Sequence, residues 1–496
     1  MPSVAAALFV KNEADDIAWW ISHHLACGFD ALLIFDDHSE DGTWEIIQTA
    51  KSLFKVKAHR YQSSCSELSA RRFDAYREAI SLYRDDYDWI GFFDCDEYFY
   101  PVSAPDVRTF LSNFSEAHGV AVHWCIYGSN GHIAKPRLPP IAAYSRHAEA
   151  ALPDHRLYKS FIRPQYFRGE YIDPYRWDIE PNHYVNACGD CHANEGANPP
   201  LCWERAKILH YISRSATHYA QRLAQRQDGY QSNDVWEYFD RNDIEDTAPL
   251  CLLEQTRHYA SAIAQAGLIE LFWQIKRALK PPNHTDLPVL TGERANRVIY
   301  DALRFATLHT ENGAQLFFNR NTLALCAIEA LQSQEALELT PAILAFETPH
   351  SASRPCVFIM APFSEAASCP PNTVLYHWLP YLLEPKSDDF WYLRSPIAPT
   401  ALYVETTGFV QLDGEVPTAL RLKHCPTDTT LEMRTLPYVQ LTSRGHTLPA
   451  FLAGIERSAA PHPAAIAAAI AFLPPADQKK LSETFIGHVP YWLIAE

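Results

Sequence analysis

Between Val4 and Ile126, short unbroken apolar runs alternate with stretches whose apolar residues recur every three or four positions. That is the pattern of strands and helices taking turns in an α/β sheet. Val4–Val10 predicts a strand buried on both faces. Ala14, Ile17, Ile21 and Leu25 keep helical spacing, and Gly28 stands where such a helix would be capped. Residues 31–35 predict a second strand running into Asp36 and Asp37, and Ser39-Glu40-Asp41-Gly42-Thr43 predicts a turn into a helix from Trp44. Residues 55–61 predict a third strand, 67–83 a helix, Trp89–Phe93 a fourth strand ending in Asp94-Cys95-Asp96-Glu97, and Gly119–Ile126 a fifth. Further on, 158–163 and 207–211 read as strands, and 215–226 as a helix that Asp228-Gly229 would end. Helical patterns run from Pro249 to about Leu344, followed by a Pro-rich stretch with β-like runs at 357–360, 401–404 and 438–442. The Ala-rich run at 464–473, bracketed by prolines, reads as a buried helix. The expected division is an α/β domain over 1–248, a mainly helical region over 249–345, and a mixed α/β or β-rich region over 346–496.

Composition narrows the setting. The chain has 496 residues, 47% hydrophobic and 20% charged, with a formal net charge of −17. That excess of acid repels nucleic acid at long range, and no nucleic-acid partner is expected. It also means that any anionic ligand needs a local cation, either a metal or placed basic side chains. No apolar run approaches the ~20 residues that span a bilayer, and MPSVAAALFVKNE lacks the basic start of a signal peptide. Twelve cysteines without regular spacing suggest reduced thiols. The expected location is the cytoplasm, with no transmembrane segment and room for peripheral membrane association.

The sharpest chemistry lies at Asp94-Cys95-Asp96. At the end of a strand, Asp94 and Asp96 are expected to share a face, and Cys95 and Glu97 to point away. Open α/β sheets bind ligands at the carboxyl ends of their strands. Two neighbouring carboxylates there call for something positive between them, and Mn²⁺ or Mg²⁺ suits oxygen ligands and phosphates. Lys11, Asn12 and Glu13 end the first strand and Asp36 and Asp37 the second, so three polar clusters are expected to meet in one crevice.

KNEADDIAWWISHHLACGFDALLIFDDHSEDGT followed by DWIGFFDCDEYFY resembles the opening of the family 2 and family 92 glycosyltransferases. Trp124 with Tyr127-Gly128-Ser129-Asn130-Gly131-His132, Tyr158-Lys159-Ser160 with Arg163-Pro164, Pro181-Asn182-His183, Ile208-Leu209-His210-Tyr211, Arg214-Ser215 and Gly229 extend the likeness to about residue 230. The resemblance implies a GT-A fold, a nucleotide-diphosphate sugar donor (often UDP-linked), a glycan or other hydroxyl acceptor, and inversion at the anomeric carbon. It implies a role in polysaccharide biosynthesis as well. By position, Asp94 and Asp96 resemble the metal and diphosphate motif, Glu13 and Asp37 nucleoside contacts, with Lys11 beside them, and Arg72 a residue near the phosphates. His210 sits where such enzymes place a histidine near the metal, and a ligand role and a capping role both fit it. Arg214 stands where the family has lysine, and the two are not interchangeable at a phosphate.

An inverting transfer needs a general base. Glu170, Asp173, Asp178 and Glu180 are candidates, with Asp178 favoured, beside Tyr171, Tyr175 and Trp177, which could stack on a sugar or belong to the core. His183 reads as a substrate contact or a loop residue, and His23 and His24 as structural residues of a surface helix. Cys188-Gly189-Asp190-Cys191-His192 with Cys202 offers one CxxC pair, short of the four ligands of structural zinc. A nucleotidyltransferase would want a Gly-rich loop where Lys11-Asn12-Glu13 stands. An aspartyl phosphatase would carry its DxD after the first strand, not the fourth. A non-catalytic nucleotide- or carbohydrate-binding protein on the same scaffold is the remaining alternative.

Overall fold

A computed structural model describes residues 1–494 apart from 62–64, 66, 170, 174–175, 191–200, 226–232, 280–302, 320–324, 330–338, 348–355, 361–379, 396–399, 409, 415, 427–446, 462 and 472. The chain divides into two compact units, Met1–Ile263 and Ala264–Glu496.

The first unit opens with β1 (Val4–Val10), α1 (Ile17–Ala26), β2 (Ala31–Asp36), α2 (Thr43–Leu53), β3 (Val56–Arg60), α3 (Leu68–Tyr83) and β4 (Trp89–Phe93). β5 (Glu97–Tyr100), α4 (Val107–Leu111), β6 (Gly119–Ile126), α5 (Pro140–Ala143), β7 (Arg146–His147) and β8 (Tyr158–Ile162) follow. The unit continues through β9 (Tyr171–Asp173), β10 (Arg176–Trp177), β11 (Tyr184–Asn186), β12 (Lys207–His210), α6 (Ala216–Gln225), α7 (Asn233–Phe239) and β13 (Ile244–Glu245). Nine of these strands form one sheet in the order β3-β2-β1-β4-β8-β6-β12-β5, with β11 also on β6. β1 to β4 pair in parallel, β8 runs against both β4 and β6, and β12 returns parallel to β6. This is the α/β, Rossmann-like arrangement expected of the GT-A class.

Wholly apolar strands make sense because both faces are covered. Val4, Ala6 and Leu8 join Ile17, Trp20, Ile21 and Ile47 in one core, while Ala5, Ala7 and Phe9 join Tyr76, Ile80 and Trp177 in another. β1 is therefore the centre of a helix–sheet–helix sandwich, and alternating residues feed opposite cores. α1 lies deep in the first core. His23 and His24 are fully buried, which keeps their structural role but corrects the expectation of a surface helix. His23 Nε2 bonds the carbonyl of Phe99 at 2.7 Å, and His24 Nδ1 that of Trp20 at 2.9 Å.

Two further expectations change. The strand before Asp94 stops at Phe93, and a turn through Asp94-Cys95-Asp96 leads straight into β5, which the sequence pattern missed. Cys188 and Cys202 form a disulfide, where reduced thiols were expected. Cys191, His192 and Gly229 lie outside the described residues.

The second unit carries an eleven-stranded sheet, antiparallel in every described pairing of its central strand, Leu303–Thr310. That strand lies between Ile343–Glu347 and Leu420–His424. Among the described residues of 249–345, the expected helical pattern is the helix Leu253–Ala278, and strands follow from Leu303. Phe305, Ala306 and Leu308 are all buried, because this strand is covered on both faces. An apolar run of that kind satisfies helical spacing as readily as strand alternation. Helices Leu448–Arg457, Pro463–Ala471 and Pro475–Thr484 follow, the second being the expected Ala-rich one. The β-like run at 438–442 lies outside the described residues. Among the described residues no helix is long and apolar enough to cross a membrane.

Candidate active site

β1, β2, β4, β6 and β12 all point their carboxyl ends to one rim, because the sheet is parallel there. The connections after β1 and β2 are tied to each other by hydrogen bonds. Asn12 N donates to Ser39 Oγ, Glu13 N to Thr43 Oγ1 and Ala14 N to Asp41 Oδ2, each at 2.8–2.9 Å. Asp41 Oδ1 also accepts from Thr43 N at 3.0 Å. The Ser-Glu-Asp-Gly-Thr turn therefore starts α2 and clamps Lys11-Asn12-Glu13 in the same step. Among the described residues, four that are not glycine have positive φ: Asn12 (53°), His38 (54°), Asn130 (52°) and Arg214 (52°). They follow β1, β2, β6 and β12. Left-handed backbone is costly for such residues and persists where the surroundings enforce it, as at ligand sites.

The carboxylates at the strand ends have basic partners. Asp36 pairs with Arg60, and Asp37 with Arg71 at 2.8 Å and Lys11 at 3.5 Å. Arg72 holds both oxygens of Asp94, at 3.0 and 3.1 Å. Lys159, buried on β8, reaches Asp94 at 2.8 Å and Glu97 at 3.2 Å. Asp96 accepts from Arg222 of α6 at 3.0 Å. Burial would raise the Asp94 and Asp96 carboxyls, but Arg72 and Lys159 for the first, and Arg222 foremost for the second, hold them well below the ordinary range. Glu97 does not point away, as strand alternation would require. Its fully buried carboxylate accepts from Asp94 N at 2.8 Å, and burial pushes its pKa up against the pull of Lys159.

Behind this turn lies a second ionic group. Arg214, 3% exposed, donates to Asp16 at 2.7 Å and Glu13 at 3.1 Å and meets His218 Nε2 at 2.7 Å. Lys135 joins Asp16 at 3.1 Å. Burial raises the Glu13 carboxyl despite Arg214, whereas Arg214 and Lys135 overcome burial to lower Asp16. Arg214 is thus a buried tie between β1 and the β12–α6 connection, not an open phosphate contact.

The structure gathers Lys11, Glu13, Asp37, Arg72, Asp94, Asp96 and His210 on the rim, but not Asp178. That residue follows Trp177, whose ring packs at 4.1 Å from Phe92 on the α3 face, and precedes Ile179, which covers Gly119 at the far end of β6. Its backbone carbonyl accepts from Arg168 N. Glu180 pairs with Arg168 on the same flank. His183 stacks on His118 there, at 4.2 Å. Glu170 and Tyr175 lie outside the described residues. Arg60, Arg71, Lys159 and Arg222 are rim residues to which sequence reasoning assigned no role. Lys159 stood in a quoted motif, and the four-residue spacing of Arg214, His218 and Arg222 was there to be read.

Two carboxylates and an imidazole are suitable donors for Mn²⁺ or Mg²⁺. Asp96 Oδ1 and His210 Nε2 face each other at 3.6 Å, too far apart for a hydrogen bond, and this pair fits an ion. Asp94 has both oxygens engaged by Arg72 and Lys159 and joins such a site only by giving one up. Glu13, Asp16 and His218 also bring three donor atoms together, but the Arg214 guanidinium already touches all three.

Comparison with known proteins bears on the same stretch. Residues 3–165 match the sequence model described as Glycosyltransferase family 92. The first third of the chain resembles that family. A family 92 protein of Ricinus communis is 25% identical over 174 residues, 33% of this chain and 28% of that protein. One of Oryza sativa subsp. japonica is 24% identical over 168 residues, 33% of this chain and 27% of that protein. The chain thus spans just over a quarter of the length of the curated relatives it matches. A crystal structure of S. aureus TarS aligns over 86% of each chain at 11% identity, with a TM-score of 0.24, too low to bear on fold or function. The family 92 match takes in Lys11, Glu13, Asp37, Arg72, Asp94, Asp96 and Lys159, and ends before His210, Arg214 and Arg222.

Proposed function

We propose that residues 1–263 form the catalytic unit of a glycosyltransferase that moves a sugar from a nucleoside-diphosphate donor, UDP-linked by preference, to a hydroxyl of a glycan or other acceptor. The observation that carries this reading is the acidic turn 94–96. It shares one rim with Glu13 and Asp37, inside the stretch that matches family 92. Glu13 and Asp37, at the ends of β1 and β2, would accept hydrogen bonds from the nucleoside. Asp96 and His210, with Asp94, would hold Mn²⁺ or Mg²⁺. A bound divalent cation would neutralise the charge that grows on the departing diphosphate. Arg72 and Lys159 keep Asp94 ionised and in place. Arg214 fixes Glu13 from behind. Transfer with inversion would be a single displacement, the acceptor oxygen attacking as the bond to diphosphate breaks and its proton passing to a base.

The test is turnover. Folded full-length protein is incubated with a panel of nucleoside-diphosphate sugars, Mn²⁺ and glycan acceptors, and release of nucleoside diphosphate is followed. The reading expects one donor class to be consumed, and Asp96→Asn to lower the rate by at least a hundredfold. A folded protein that consumes none of them and binds no nucleoside diphosphate contradicts it.

A further inference from the structure

Arg214, just ahead of α6, and His218 and Arg222 on α6 are spaced four residues apart and all meet the acidic rim: Arg214 at Glu13 and Asp16, His218 near Asp16, Arg222 at Asp96. The first two are buried, with side chains 3% and 9% exposed, whereas Arg222 is 25% exposed. Its described hydrogen bonds all come from Nη1, to Asp96 Oδ2 at 3.0 Å and to the carbonyl of Ile212 at 3.4 Å.

The other rim cations are committed. Arg60 is held by Asp36, Arg71 and Lys11 by Asp37, Arg72 and Lys159 by Asp94, and Lys159 by Glu97 as well. Asp96 is different: Arg222 is its arginine partner, and Asp96 is the carboxylate that, with His210, best fits a divalent cation. An ion held between Asp96 Oδ1 and His210 would draw on the charge of the same carboxylate whose Oδ2 holds Arg222, and so loosen that pair. The guanidinium would be set free beside the place where the diphosphate must lie. A planar, always-charged group suits phosphate oxygens particularly well.

We propose that Arg222 is a diphosphate-binding residue that neutralises Asp96 before the donor is loaded and exchanges that carboxylate for a phosphate oxygen when cation and donor enter. This rests on the donor reading above. It adds a residue outside the family 92 match and turns α6 into part of the leaving-group site.

The experiment is calorimetric titration of the full-length protein with UDP and with uridine, in Mn²⁺, for wild type, Arg222→Gln and Arg222→Lys, plus Mn²⁺ alone for each. In Arg222→Gln, UDP should bind about ten- to a hundredfold more weakly, the range of one charge-assisted hydrogen bond. Uridine should bind as in wild type, and Mn²⁺ alone as tightly or more tightly, because a competitor for Asp96 is gone. Arg222→Lys should recover part of the UDP affinity. UDP affinity unchanged in Arg222→Gln overturns the role while leaving the donor reading intact. Equal losses for UDP and uridine, or weaker Mn²⁺ binding, assign Arg222 to structure and overturn it too. A wild-type protein that binds no nucleoside diphosphate removes the donor reading and this role together.

Discussion

Arg214 joins segments far apart in sequence at one guanidinium, which reaches Glu13, Asp16 and His218 from a left-handed backbone position. Removing one partner of a buried ionic group strands the others without compensation, at a cost of about 3–5 kcal/mol. Arg214→Met should lower the unfolding free energy by that amount in urea titrations. Arg214→Lys, which keeps the charge but not the fork, should lie between. A loss below about 1 kcal/mol for Arg214→Met would show that the network is not holding the rim together. At this scale the sequence reveals the acids better than their partners. Glu13, Asp37, Asp94 and Asp96 stand at the ends of recognisable strands, so local pattern finds them. Lys159 and Arg222 reach Asp94 and Asp96 across 65 and 126 residues, and no local signal encodes such pairings. Adjacent arginines show the same limit. Arg71 goes to Asp37 and Arg72 to Asp94, although nothing in their spacing separates the two roles.

Among the elements, α1 offers a test of how fully it is enclosed. Burial holds His23 down at about 4 and His24 well below the usual imidazole range. Their unfolded values lie near 6.5. Between these limits the unfolded chain binds protons that the folded protein excludes, so stability should fall as pH drops below 6.5. The slope should be about 1.4 kcal/mol per pH unit for each such histidine. Unfolding free energies measured from pH 7 to 4.5 should show this decline, with His155, also held at about 4, adding to it. A flat profile would mean that α1 is open to water. The element pattern was legible where strands are covered on both faces and helices on one, as in β1 to β4. It failed where a turn mimicked the end of a strand, at 94–96. It failed again in the strand Leu303–Thr310, whose apolar residues fit either period. The long helix Leu253–Ala278 was read correctly, but its pattern was carried too far.

For the whole molecule, a net charge of −17 is offset locally by a rim in which Asp36, Asp37, Asp94 and Asp96 each meet a base, as an anionic donor requires. The Cys188–Cys202 disulfide sits at odds with a reducing compartment. Alkylation of the denatured, unreduced protein should leave these two residues unmodified, and labelling of both would remove the bridge from the account. Among its described residues the C-terminal unit has a legible sheet and no cluster that ties it to chemistry. The central claim concerns the rim of the first unit. Its most direct test is calorimetric titration of UDP with Mn²⁺, then with EDTA, on wild type and on Asp96→Ala. The account predicts binding that requires both the cation and Asp96. Binding that survives EDTA and Asp96→Ala undiminished, or no nucleoside diphosphate bound by a folded protein, would contradict it.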